Sequence, residues 1–240
     1  MGGLPMLMSP LRSFIKNIFS DAMLIACVFA PVLAGFAFRF GIPVLESLLA
    51  VYFGHPVVGP YYTLVDLFLG VLAPMMVCFA AAMAILDERD CGVCAYLMVT
   101  PVGRSGYIAS RLGAPALASS VYSVVILAIF GLSGLAPYAV ALVAFGMGLT
   151  SFAMTLAITV LSANRIEGLA VGKLSGLALM GVVVPFFAKG NERFFAGFLP
   201  SFWIAEAVLR PTLLSIAAFL AICVLWCGFL YPRFMSRARG

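Results

Sequence analysis

The sequence predicts an all-α membrane protein with six transmembrane helices. Three observations predict it. Apolar residues make up 64% of the 240 positions and charged residues only 10%. The mean hydropathy is +1.16. The apolar residues also fall in long unbroken runs, where barrel strands would alternate every second residue. A soluble domain of this length carries far more charge, and about 20 apolar residues suffice for a helix to cross the roughly 30 Å hydrocarbon core.

Residues 5–20 read as an amphipathic interfacial helix. Leu11, Phe14, Ile15, Ile18 and Phe19 share one face by helical spacing, with Arg12, Lys16 and polar residues filling much of the rest. The first span follows at about 22–40, too long for a signal-peptide core and without a clean cleavage site, so it reads as uncleaved. Between it and the second span, residues 45–53 suggest a short interfacial helix. The second span covers about 63–86, with Asp66 expected at its membrane edge, where an ionised carboxylate costs far less than at mid-bilayer.

From Leu112 to Asn164 there is no charged residue. The turn Gly131-Leu-Ser-Gly-Leu-Ala-Pro137 divides this stretch into spans at about 112–133 and 138–162. The fifth span covers about 168–188, with Lys173 able to snorkel. Residues 194–205 are apolar and aromatic but too short to cross, so they read as re-entrant or interfacial. The sixth span covers about 211–232. Residues 1–240 thus form one transmembrane domain.

Placing the N-terminus in the cytosol leaves only Arg39, Lys189, Arg193 and Arg210 outside among the 14 basic residues. The positive-inside rule therefore puts both termini and the 87–111 loop in the cytosol. It also accounts for the net charge of +5 without nucleic acid as a partner; the lipid bilayer is the partner it implies.

Several chemistries lack their residues. The chain has no H-E-x-x-H, no G-x-S-x-G and no P-loop, so no catalytic residue is assigned and ATP has no P-loop site here. Cys27, Cys78, Cys223 and Cys227 lie in apolar runs as small hydrophobes. Cys91 and Cys94 form a C-x-x-C, but the lone His55 falls on the other side of the membrane, so no zinc site is assigned.

The loop carries the information. Asp87, Glu88 and Asp90 open it, favourable for a helix N-terminus. Val93, Tyr96, Leu97 and Thr100 share one helical face, Pro101 stops the helix, and Gly103–Gly106 makes a turn. The pattern predicts a stiff helix over about Glu88–Thr100, held between two spans and suited to transmitting force from a cytosolic partner.

This loop resembles the segment after the second span of ABC-2 type permeases, the membrane subunits of many bacterial ATP-binding-cassette exporters. That family commonly shows E-R-x-x-G-T-L-x-x-L-x-x-T-P. The chain matches at Glu88, Arg89, Gly92, Leu97, Thr100 and Pro101, and departs at Val93 and Cys94, where Thr and Leu are usual. The likeness extends over the whole chain and is closest in look to the fluoroquinolone-export subgroup. It implies a coupling helix seated in an ATPase groove, using Glu88, Arg89, Gly92, Tyr96, Leu97, Thr100 and Pro101. It also implies a connector helix with Arg12, Phe14, Ile15 and Lys16. The complex would pair two permeases, identical or sister, in the bacterial inner membrane with two ATPase subunits that bind ATP and Mg; this chain itself binds no cofactor and is not an enzyme. Cargo would be an amphipathic drug, lipid or peptide. The alternatives are an ion-driven secondary transporter, which usually needs buried carboxylates or broken helices, and a membrane scaffold or immunity protein without transport.

Overall fold

The computed structural model describes residues 20–94, 103–188 and 190–237. Arg12, Phe14, Ile15 and Lys16 of the connector helix lie outside these residues, as do Tyr96, Leu97, Thr100 and Pro101 of the loop. Among the described residues the structure is helical with no strand, and six helices are long and apolar enough to cross a membrane. They run Ala22–Phe53, Gly59–Asp90, Gly106–Phe130, Pro137–Leu161, Arg165–Phe187 and Leu213–Arg237. The end carrying the 87–111 loop is called the inner end below.

Spans 2 and 4 form the centre. Their most apolar stretches are 78% and 72% buried, against 17–33% for the other four. Small side chains explain the close approach: Ala80, Ala81, Ala82 and Ala84 in span 2, and Gly146, Gly148, Ser151 and Ala153 in span 4, are all buried. Lipid offers no hydrophobic drive between helices, so close packing and hydrogen bonds must hold them. Ser119 of span 3 meets Ser151 at 2.8 Å, and Ser123 donates to the Gly70 carbonyl at 2.9 Å. Thr155, Thr159 and Ser162 donate to carbonyls four residues back.

The first span is longer than the sequence suggested. Ala22–Phe36 passes through a π-helical stretch, Ala37–Gly41, directly into Ile42–Phe53. The 45–53 segment is therefore a continuation, not a separate helix. Pro43 comes just after the π-helical stretch, where the regular hydrogen-bond ladder is already interrupted. The rod ends only at Gly54, with φ at 74°. The third span also starts early, at Gly106.

Asp66 lies near the outer end of span 2, four residues into its helix Tyr62–Asp90, and is buried there. It is 1% exposed and lies beneath the loop between spans 3 and 4. Its carboxylate accepts the Leu132 and Ser133 amides at 2.8 and 2.7 Å, and the Ser133 hydroxyl. Arg39 of span 1 donates to the Gly131 carbonyl of the same loop. The burial is tolerable because the charge is multiply hydrogen-bonded.

Span 5 is segmented: helix Arg165–Ser175, a 3₁₀ turn Gly176–Leu179, then helix Met180–Phe187. After it the chain turns at Gly190, descends as 3₁₀ helix Asn191–Phe198 and rises as helix Pro200–Leu209. Eight of the ten residues in that rising helix are buried. The Trp226 indole donates to the Phe198 carbonyl at 3.2 Å. Trp226 stands about 20 Å below the outer start of span 6, at about 1.5 Å per residue. The segment thus folds back beside span 6 to about half its length, the shape that the re-entrant reading expects. Glu206 in its rising limb pairs with Arg193 of the descending limb at 3.4 Å and with Arg210 at 3.1 Å.

Candidate functional site: the inner-end hub and a lateral cavity

Span 2 does not stop at Leu86. Nothing breaks it before Cys91 and Gly92, the latter at φ 70°, so Asp87, Glu88, Arg89 and Asp90 form its last turn. This corrects the expectation that they open a new helix. Acidic groups at a helix C-terminus are unfavourable to the dipole, and neighbouring cations compensate them here.

The four residues reach three places, Asp87 and Asp90 sharing Arg165. Glu88 takes a two-pronged contact from Arg111 of span 3: Nη2 to Oε1 at 2.6 Å and Nε to Oε2 at 3.0 Å. Both side chains are almost fully buried, at 4% and 2% exposure. Arg89 donates to the Thr159 and Ser162 carbonyls at 3.1 and 2.5 Å, capping the C-terminus of span 4. Arg237 of span 6 reaches the Ser162 carbonyl at 3.0 Å. Asp87 pairs with Arg165 at 3.1 Å, and Asp90 accepts the Arg165 amide at 2.8 Å. Arg165 also pairs with Asp21, which caps span 1 through the Met23 amide. The Arg165 guanidinium holds the Asp21 carboxyl below its ordinary value. Asn164 caps span 5 through the Glu167 amide, and Glu167 accepts the Ala163 amide in return. All six spans are thus tied at or near one four-residue turn.

Of the loop residues singled out in the sequence, Glu88, Arg89 and Gly92 lie in or just after this turn. Glu88 faces inward and not toward a cytosolic partner. Asp21, Arg111, Arg165 and Arg237 were not assigned roles from sequence. Their signal was complementary charge at span ends on one side, which the topology argument used only as a count. In the C-x-x-C, Cys91 is exposed while Cys94 is buried, with Sγ 3.0 Å from the Tyr107 hydroxyl. Burial pushes the Cys94 thiol above its ordinary value, so it is not an activated thiolate. Among the described residues no three His, Cys, Asp or Glu groups converge to hold a metal ion.

Above the hub lies a cavity of about 590 Å³. It is bounded by the inner half of span 4 (Ile158, Leu161), by span 5 (Leu174, Leu177), by Phe198 at the re-entrant tip and by Trp226. Gly168 and Gly172 of span 5 press against Met83 and Leu86, and against Phe79, of span 2. This contact seats the inner half of span 5 on the centre and sets the cavity wall.

Residues 14–234 match the family described as fluoroquinolones export permease protein Rv2686c-like. Two curated relatives are the fluoroquinolones export permease proteins MT2760 and Rv2686c of Mycobacterium tuberculosis strains CDC 1551 and H37Rv. Each is 29% identical over 200 residues, covering 82% of this chain and 79% of the relative. No solved structure matches significantly.

Proposed function

Since the chain belongs to the Rv2686c-like family of fluoroquinolones export permease proteins, a family of multi-pass membrane permeases, we propose that it is the membrane subunit of an ATP-binding-cassette exporter. The observation that carries the proposal is the Asp87–Asp90 turn, whose contacts reach the third, fourth and fifth spans and continue through Arg165 to the first. The loop of residues 91–102 leaves directly from this turn. A partner that moves the loop moves a point to which the bundle is pinned, and ATP binding by that partner shifts the bundle between two packings. Tyr96, Leu97, Thr100 and Pro101 supply the contact surface. Glu88 and Arg89 act behind it, holding the lever to spans 3 and 4. The connector residues Arg12, Phe14, Ile15 and Lys16 add a second contact with the ATPase.

In this reading ATP and Mg belong to two ATPase subunits beneath a pair of permeases in the inner membrane, with both termini cytosolic. The chain is not itself an enzyme. The relatives' names make a fluoroquinolone the first cargo to test, within a broader class of amphipathic drugs, lipids and peptides. An ion-driven mechanism would rest on buried carboxylates, and those of Asp66, Glu88 and Glu206 are each engaged, by the outer loop, by Arg111, and by Arg193 with Arg210.

The test is reconstitution with the ATPase in inverted vesicles. Leu97→Asp should abolish ATP-dependent uptake of a fluoroquinolone while the chain's melting temperature and insertion stay unchanged. Uptake that persists in the variant, or that needs a proton gradient but no ATPase, refutes the proposal.

A further inference from the structure

Two stretches of the chain share one pattern. Ala37-Phe-Arg-Phe-Gly-Ile-Pro43 in span 1 and Ala109-Ser-Arg-Leu-Gly-Ala-Pro115 in span 3 both read A-x-R-x-G-x-P, which occurs nowhere else in the 240 residues. Among the described residues the helices turn π-helical at these two places only, over Ala37–Gly41 and Ala109–Gly113. The pattern accounts for the geometry. In both copies the proline follows the arginine by four residues, so it lacks the N–H that would close a regular α-helical bond to the arginine's carbonyl. Glycine weakens a helix interior, and packing does not demand it here. A Cβ on Gly41 or Gly113 would meet no atom within 4 Å, whereas one on Gly35 would lie 2.6 Å from the Phe130 ring.

Each arginine ties its stretch to the packed bundle. Arg111 grips Glu88 at the inner end. Arg39 donates to the Gly131 carbonyl at the outer end, in the loop that Asp66 holds. The limbs on the two sides of each stretch differ. On one side lie packed rods. In Ala22–Phe36, Val28 accepts the Tyr122 hydroxyl at 2.6 Å, and Ser119 and Ser123 bind Ala114–Phe130 to spans 4 and 2. On the other side, Ile42–Phe53 has no buried residue, and Gly103–Ile108 is a six-residue helix returning from the loop.

We propose that the two stretches are copies of one hinge, set at opposite ends of the bundle, on which the limbs Ile42–Phe53 and Gly103–Ile108 bend against a core that stays packed. The arginine of each copy anchors the fixed side and keeps the bending local. The hinges are measured on the chain alone, so the inference does not rest on the exporter reading.

The experiment uses the full chain in lipid nanodiscs, with native cysteines replaced by alanine, and spin-label pairs read by double electron–electron resonance. Leu33/Val51 straddles the first hinge and Ser105/Val121 the second, while Leu214/Phe229 on span 6 is a control without one. Each pair is separated by about 22–27 Å of helix at about 1.5 Å per residue. Both hinge pairs should give distance distributions about twice as wide as the control. Gly41→Ala/Pro43→Ala should narrow the first to the control width and leave the second, and Gly113→Ala/Pro115→Ala the reverse. Pro43 is exposed and Pro115 buried, so the first variant should melt no lower than the unaltered chain even if the second does. Arg39→Gln should broaden Leu33/Ile129, which joins two packed rods.

Hinge pairs as narrow as the control overturn the proposal, and so does one broad pair beside one narrow. A width that Gly41→Ala/Pro43→Ala leaves unchanged in a folded chain does the same. An unaltered Leu33/Ile129 distribution in Arg39→Gln removes the arginine's anchoring role. Loss of ATP-driven export with both hinges bending would strike the exporter reading and leave them standing.

Discussion

Glu88 shows what one residue's environment decides. Its charge and spacing drew attention in the sequence, and the structure turns it inward onto Arg111. Glu88→Ala would leave a buried guanidinium without its carboxylate, at about 3–5 kcal/mol. The expected result is a sharp fall in melting temperature in detergent, with Glu88→Leu/Arg111→Met together recovering most of it. A normal melting temperature for the single variant would contradict the buried pair. Loss of transport in Glu88→Ala is therefore no measure of ATPase contact, which Leu97→Asp reads more cleanly. Asp66 invites a separate test. Asp66→Asn keeps the shape but weakens charge-assisted bonds to the Leu132 and Ser133 amides. Amide exchange at both should speed by about tenfold, for a loss near 1.4 kcal/mol. These partners were hidden in the sequence because they lie more than 60 positions away, where periodicity carries no information.

At the scale of elements, span 5 and the re-entrant hairpin depend on small residues at set places. A Cβ on Gly172 would fall inside the Phe79 ring's van der Waals envelope. Gly172→Val should push the inner half of span 5 off span 2 and destabilise by about 1–3 kcal/mol. Phe79→Ala in the same chain should restore part of the loss, whereas no restoration would mean that the two helices do not meet there. The re-entrant segment was legible as too short and too aromatic to cross. Its depth was not, because the Trp226 contact that fixes it joins residues 28 apart. The helix ending at Gly92 was misplaced for a simpler reason. Acidic residues favour a helix start by dipole, yet backbone continuity from an apolar span outweighs that preference when Arg111 and Arg165 stand opposite.

Across the whole molecule, hydropathy revealed six spans but not which are central. Apolar residues are least one-sided in spans 2 and 4, as suits helices enclosed by others, yet the spans' similar mean hydropathy cannot rank them. Side-chain size can: the Ala, Gly and Ser of spans 2 and 4 mark the interior. Orientation is tested through Cys91, which is exposed at the inner end while Cys78, Cys94 and Cys223 are buried. A membrane-impermeant maleimide should modify it in inverted vesicles and not in right-side-out ones. The opposite pattern would reverse the topology.

The first span carries a consequence for the membrane itself. Its 32 residues make a rod of about 48 Å, against a hydrocarbon core of roughly 30 Å. The outer third is apolar apart from Glu46 and Ser47, with Val51 and Tyr52 more than 80% exposed. Such a mismatch is relieved by tilting, by kinking at the π-helical stretch or by thickening the bilayer around it, each at a modest cost per ångström. Acyl-chain length thus becomes a variable of the protein's stability, and lipids with longer chains are the solvent in which this helix lies with least distortion.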